Sequence, residues 1–140
     1  MNRTDAVKLA RLVRALCPSQ KLDQFTPEAW AIVLDDIRYE DAVAAFRIYY
    51  RERGNDEEWG GRRIEADDIL REVKRLRNDR ITRFGDIAPP PGLSEIEQRT
   101  WLRESRRLIA DGEPERVQIA AAGNRSLAIT TGRARTGGAA

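Results

Sequence analysis

The stretch that decides the fold is residues 61–81, which read GRRIEADDILREVKRLRNDRI. On a helical wheel of 3.6 residues per turn, Val73 and Leu76 lie within about 40° of Ile69. That spacing predicts an amphipathic helix over about residues 66–83, with these three side chains facing a core. An amphipathic helix needs other elements to cover its apolar side, so the rest of the chain must supply them.

The basic residues of this helix fall into two groups. Arg71, Lys74 and Arg75 lie opposite the apolar side, which is typical of a solvated face. Arg77 and Arg80 lie beside it, where a long side chain packs its stem and exposes its charged head. We therefore expect Arg77 and Arg80 to make specific contacts, either with the acidic residues of the preceding helices or with a partner.

Direct DNA binding through this helix is the alternative. The residues that would contact phosphates are Arg71, Lys74, Arg75, Arg77, Arg80 and Arg83. A helix that reads bases also needs amide side chains beside its arginines, and Asn78 is the one candidate. Sequence-specific recognition is not expected, but contact with phosphates stays open.

Three further helices are predicted before this one. The first covers about residues 5–17 and is capped by Thr4. The second starts at Thr26 as N-cap, and the third begins near residue 39. The apolar stripe of the second helix consists of Trp30, Val33, Leu34 and Ile37. No alternation typical of strands appears, so we predict an all-α fold in which residues 1–84 form a small four-helix bundle domain.

The C-terminal part is predicted to be organised differently. Residues 85–93 contain the run APPPG and are expected to form a semi-rigid proline-rich linker. An amphipathic helix follows over 94–112. Residues 113–140 are expected to form a flexible basic tail, within which 114–122 can make a short helical stretch.

The helix at 94–112 is the main candidate for binding a partner. Ser94 and Glu97 form a capping box at its start. Its two faces are an apolar stripe of Trp101, Leu102, Leu108 and Ile109, and a basic face of Arg99, Arg103, Arg106 and Arg107. The helix either packs as a fifth member of the bundle or docks into a groove of another protein. Attachment to a membrane surface is the third possibility, against which its four acidic residues argue.

Composition excludes several kinds of site. The chain has 140 residues and a net charge of +2. Because it has one cysteine and no histidine, a disulfide framework and the usual zinc ligand sets are excluded. No phosphate-binding loop motif is present, and no cofactor, metal site or catalytic residue is expected. Cys17 is interpreted as a core residue rather than a nucleophile. Trp59 either covers the bundle or anchors a partner. A cytoplasmic protein without a membrane segment is expected.

Several short motifs resemble a known family. The segment AVKLARLVRALCPSQKLDQFTPEAWAIVLDDIRYEDAVAAFRIYYRE, followed by a loop and RRIEADDILREVKRLRNDRI, is similar to helicase loader proteins of tailed phages that infect Gram-positive bacteria, including actinobacteria. The resemblance rests on TPEAW, on DDIRYEDAVAAF and on the pattern I-x-x-x-D-I-L. It covers about residues 5–83 and continues more weakly to 111.

The resemblance implies a helical N-terminal domain and a C-terminal part that engages a replicative hexameric helicase of the DnaB type. Such loaders deliver the helicase to an origin-bound initiator or to single-stranded DNA and restrain it until then, without a phosphate-binding loop of their own. On this hypothesis the apolar stripe of helix 94–112 is buried in the helicase, and its arginines meet acidic groups at the rim. A small virion assembly protein is a further alternative.

Overall fold

The computed structural model describes residues 1–20, 22–53 and 64–122. Within them it contains six helices and no strand, which confirms the all-α prediction. The helices are α1 (Arg3–Leu16), α2 (Thr26–Val33), α3 (Tyr39–Arg53), α4 (Ala66–Phe84), α5 (Glu95–Ala110) and α6 (Pro114–Ala122). None of the helices in this described part combines the length and the hydropathy needed to cross a bilayer. The predictions for Trp59 and for tail residues 123–140 lie outside the described residues.

The chain divides into a first unit, Met1–Leu76, and a second unit, Arg77–Ala140. The division falls inside α4, whereas the sequence placed the domain boundary after residue 84. The reason is that α4 contributes to two cores. Its first half places Ile69 and Val73 in the core of the first unit, and its last turns place Ile81 and Phe84 against the core of the second.

The core of the first unit comes from α1, α2, α3 and the first half of α4. Its largest fully buried side chains are Leu9, Val13, Leu34, Phe46, Ile69 and Val73. Trp30 and Ile37 are also buried as predicted, but Val33 is 39% exposed. Val33 is therefore wrong as a member of the buried stripe of α2, because it lies on the outer side of that helix.

The predicted N-caps of the first two helices are both wrong. Asn2 rather than Thr4 caps α1, because its side chain accepts a hydrogen bond from the Asp5 N–H at 2.9 Å. Thr26 is the first residue of α2 rather than its cap. Asp23 Oδ1 accepts hydrogen bonds from the N–H and the hydroxyl of Thr26, each at 2.8 Å. In each case an earlier residue supplies the acceptor.

The second unit has its own core, formed by α5 and α6. Its buried residues are Trp101, Leu108, Ile109, Val117 and Ala120. The segment 85–93, predicted as a linker, belongs to this unit because Ile87 and Leu93 pack against the core and Pro90 is buried. The first part of the predicted flexible tail is likewise structured, since α6 occupies residues 114–122 and buries two of the core residues.

Local signals define both ends of α5. The predicted capping box is confirmed, with Ser94 and Glu97 each accepting a hydrogen bond from the backbone of the other. At the other end Gly112 has a φ of 81°, a left-handed conformation that favours glycine. The Gly112 N–H donates to Ile109 O at 3.0 Å and the Glu113 N–H donates to Leu108 O at 2.8 Å, which is a Schellman motif.

Candidate protein-binding surfaces

The predicted apolar docking stripe of α5 is not a free surface. Trp101, Leu108 and Ile109 are only 6%, 4% and 2% exposed, and Leu102 is partly buried. These side chains pack in the core of the second unit, which α6 completes with Val117 and Ala120. Their assignment as anchors that bury in a partner is therefore corrected. Packing of this helix was one of the two alternatives that the sequence left open, but its packing against residues 114–122 was not predicted, because these were assigned to the flexible tail.

The basic face of α5, defined as Arg99, Arg103, Arg106 and Arg107, is exposed. The four side chains lie on the side opposite the buried stripe, as the period of the helix requires. Three of them form surface ion pairs within the helix, with Glu95 or Glu104 as partner. Such pairs contribute about 0–1 kcal/mol each, so the arginines can exchange them for carboxylates of a partner at small cost.

The α4 residues predicted to contact phosphates do not form a free basic face. In the first unit Arg75 donates to both carboxylate oxygens of Glu52, at 3.2 and 3.3 Å, and Arg71 pairs with Asp68 at 3.4 Å. Lys74 is exposed. Two of the three cationic side chains are thus opposite carboxylates in surface ion pairs of the same kind as those on α5, so the pairs by themselves do not exclude contact with DNA phosphates at this face.

In the second unit Arg77 and Arg80 make specific contacts, as predicted for their positions beside the apolar side of the helix. Arg77 forms an ion pair with Asp111 at 2.9 Å, and Arg80 donates a hydrogen bond to Ala110 O at 2.7 Å. The contacts are with the C-terminal end of α5 rather than with the acidic helices before α4. Cations are favoured there because the last carbonyls of a helix carry partial negative charge. Arg83, the third residue of the predicted set in this unit, is exposed.

An exposed apolar stripe on α2 and its N-cap was not predicted from the sequence. It consists of Phe25, Ala29, Ile32 and Val33, and is called the outer stripe below. Phe25 is 63% exposed and Ile32 is 77% exposed. The spacing i, i+4, i+7 and i+8 places the four on one side of the helix, while Trp30 and Leu34 are buried on the other. A helix that is apolar on both sides is usually covered on both, so the outer stripe is a candidate binding surface.

A groove runs beside the outer stripe, between the start of α2 and the start of α4. Its volume is about 380 Å³, and Phe25, Ala29 and Val33 form one wall. Buried Trp30 and Ile64 line it, and Glu65 and Asp67 stand at its α4 edge. The groove is therefore lined by both apolar and polar groups, with Glu65 and Asp67 on the α4 side and Asp23 and Thr26 on the α2 side.

Two polar side chains build this groove. The buried amide of Gln20 donates to Ile64 O at 2.8 Å and accepts from the Ile64 N–H at 3.1 Å, which fixes the backbone just before α4. Asp23 fixes the start of α2 through its hydrogen bonds to Thr26. Because both contacts are specific, the two walls are held at a defined position.

The remaining candidate groups do not suggest a reactive site. Cys17 packs against the core of the first unit, and partial burial raises the pKa of its thiol, so little reactive thiolate is present at neutral pH. Within the described ranges no three histidine, cysteine, aspartate or glutamate side chains are grouped so as to hold a metal ion. The interpretation of Cys17 as a packing residue fits this environment.

No protein-family model matches the chain, and neither a curated protein nor a solved structure is significantly similar to it.

Proposed function

We propose that the protein is a non-ATPase adaptor that binds a replicative hexameric helicase and delivers or restrains it when DNA replication starts. The observation that carries this proposal is the basic face of α5. It presents four exposed arginines on a helix whose opposite side is anchored in a folded core. The choice of a helicase as partner is supported by the motifs in residues 5–83 that resemble phage helicase loaders.

The contact is a charged one in this proposal. The basic face lies opposite acidic groups at the rim of the helicase, and Ile96, which is 78% exposed at the start of the same helix, supplies an apolar contact beside them. Binding through exposed charges speeds association and makes affinity depend on salt. The buried stripe of α5 takes no part, since its residues stabilise the second unit.

The test is to mix the full chain with a purified bacterial replicative helicase and to follow co-elution by size exclusion with light scattering. We expect a complex with the wild-type chain whose affinity falls as salt is raised. The double variant Arg103→Glu, Arg106→Glu should bind at least about tenfold more weakly, which corresponds to about 1.4 kcal/mol.

The matched control is the double variant Arg71→Glu, Lys74→Glu, which makes the same charge change on the exposed side of α4 in the first unit. It should bind the helicase like the wild type. Absence of any complex with the wild-type chain would reject the helicase as partner. Equal binding by both double variants would move the contact away from α5.

Direct DNA binding and virion assembly predict different results in the same assays. A DNA-binding protein would bind short duplexes with a log–log salt slope of about −0.9 for each phosphate neutralised. A virion assembly protein would associate with itself as its concentration is raised. Phosphates would have to displace the carboxylates that pair with Arg71, Arg75 and Arg77 on α4.

A further inference from the structure

We infer that the outer stripe of α2 and the groove beside it form a second binding surface, whose partner is a basic amphipathic segment of another protein. This surface lies entirely within the first unit. It is separate from the basic face of α5, and it requires the opposite charge in its partner. The inference therefore goes beyond the helicase contact proposed above and does not depend on it.

The apolar component of the surface has the dimensions of a short helical ligand. From Phe25 to Val33 the helix rises about 12 Å, which is a little more than two turns. A ligand helix laid along it would present apolar side chains at i, i+4 and i+7, the spacing used when an amphipathic helix occupies a groove. Phe25, at 63% exposed, and Ile32, at 77% exposed, are the largest side chains available to it.

The carboxylates at the groove determine which charge a ligand should carry. Glu65 and Asp67 are exposed at the edge of the groove. At the start of α4, Asp68 accepts a hydrogen bond from the Glu65 N–H at 3.1 Å and pairs with Arg71. The exposed carboxylates of Glu65 and Asp67 favour lysine or arginine on a ligand.

A second copy of this chain fits the surface less well. The basic face of α5 could be offered by a second copy, but the apolar stripe of that helix is buried in the second unit. Ile96 is the one large apolar side chain exposed on α5, so a copy would offer one anchor where the outer stripe accepts two or three. A foreign segment with several apolar residues and a basic flank satisfies both components.

The probe for the test is a synthetic 15-residue helical peptide with leucine at positions i, i+4 and i+7 and arginines beside them. A second peptide carries glutamate in place of each arginine. Binding to the isotope-labelled full chain is followed by amide NMR shifts and by fluorescence anisotropy. We expect saturable binding of the basic peptide, with shifts concentrated at the outer stripe and at Glu65 and Asp67. The acidic peptide should bind at least about tenfold more weakly.

Matched variants distinguish specific binding at this surface from nonspecific hydrophobic binding. Ile32→Ser with Glu65→Lys should weaken binding of the basic peptide at least about tenfold. The control Ile119→Ser with Glu115→Lys changes an exposed isoleucine and an exposed glutamate of α6, and should leave peptide binding unchanged. Equal binding of the two peptides, no binding of either, or equal loss in both variants would overturn the inference.

Two further measurements test whether a second copy occupies the surface and whether the peptide and helicase contacts are independent. Self-association of the wild-type chain that Ile32→Ser abolishes would assign the stripe to a second copy and overturn the foreign partner. The Arg103→Glu, Arg106→Glu variant should keep peptide binding, whereas the Ile32→Ser, Glu65→Lys variant should keep helicase binding. Failure of the helicase proposal therefore leaves this inference standing, and its own failure is visible with peptide alone.

Discussion

Helices α2 and α5 differ in what they do with their apolar residues. The amphipathic pattern of α5 suggests a face that docks on a partner, yet Trp101, Leu108 and Ile109 are buried within the second unit. The pattern of α2 suggests an ordinary core helix, yet Ile32 and Phe25 are exposed. An amphipathic helix in isolation therefore does not indicate a binding face. Apolar area that stays exposed after the rest of the chain has packed is the better indicator.

The largest expected effect tests the burial of α5. Trp101→Ala removes a large side chain that is 6% exposed, and should lower the free energy of unfolding of the second unit by about 3–5 kcal/mol. The readout is amide hydrogen exchange in α5 and α6, which reports on this unit by itself. Ile32→Ala, the matched change on the exposed side of α2, should alter stability by less than about 1 kcal/mol. Similar losses in both variants would break the contrast between the two helices.

The next prediction concerns the groove beside α2. Gln20→Ala leaves the buried N–H and C=O of Ile64 without the partner they have in the native fold, and should lower the stability of the first unit by about 2 kcal/mol or more. Urea unfolding followed by hydrogen exchange in α2 and α4 measures the loss. Gln24→Ala is the control, since Gln24 is exposed in the same connection. An unchanged Gln20→Ala protein would mean that the groove walls are held by other contacts.

Arg80, which contacts the C-terminal end of α5, is expected to contribute more to stability than Arg83 on the same helix. Arg80→Leu removes a charged donor from Ala110 O and should cost about 1.5–3 kcal/mol in the second unit. Arg83→Leu removes an exposed cation from the same helix and should be close to neutral. Thermal unfolding of the two variants side by side checks this. If Arg83→Leu were the more damaging change, the docking of Arg80 on α5 would be wrong.

A stabilising substitution is expected on the buried side of α5. Ser105 is fully buried, and its hydroxyl has no hydrogen-bond partner among the described residues. Ser105→Ala removes an unsatisfied polar atom and adds helix propensity, so stability should rise by about 1 kcal/mol. Thr100→Ala, on the exposed side, controls for propensity alone. A loss of stability at Ser105 would indicate that its hydroxyl has a partner in solution.

The smallest effect concerns the start of α5 and depends on pH. Hydrogen bonds from the hydroxyl and from the backbone N–H of Ser94 hold the pKa of Glu97 below its ordinary value of 4.5. A carboxyl whose pKa is lower in the folded state stabilises the fold above pH 4.5, and this contribution is lost as pH falls through the lowered pKa. Glu97→Gln should therefore lower the melting temperature slightly at pH 7 and have less effect in acid. An equal drop in melting temperature at pH 7 and in acid would contradict this prediction.

Much of the fold follows from local sequence signals. The bounds of α4, the capping box of Ser94 and Glu97, and the glycine that ends α5 depend on residues within about one turn of each other, so they are readable from the chain. The core side of α4 is readable for the same reason, because a 3.6-residue period places Ile69 and Val73 together. The two N-cap predictions failed where a residue two or three positions earlier supplied a better acceptor.

What the sequence determined by itself was an all-helical chain with the right helices in the right order and a basic face on α5. Only the tertiary structure decided which apolar stripes are buried, that residues 85–93 pack on a core, and that α4 serves two cores. The physical reason is the separation along the chain of the residues that interact. Helix formation and capping are settled by hydrogen bonds between near neighbours, whereas burial depends on residues far along the chain arriving at the same place.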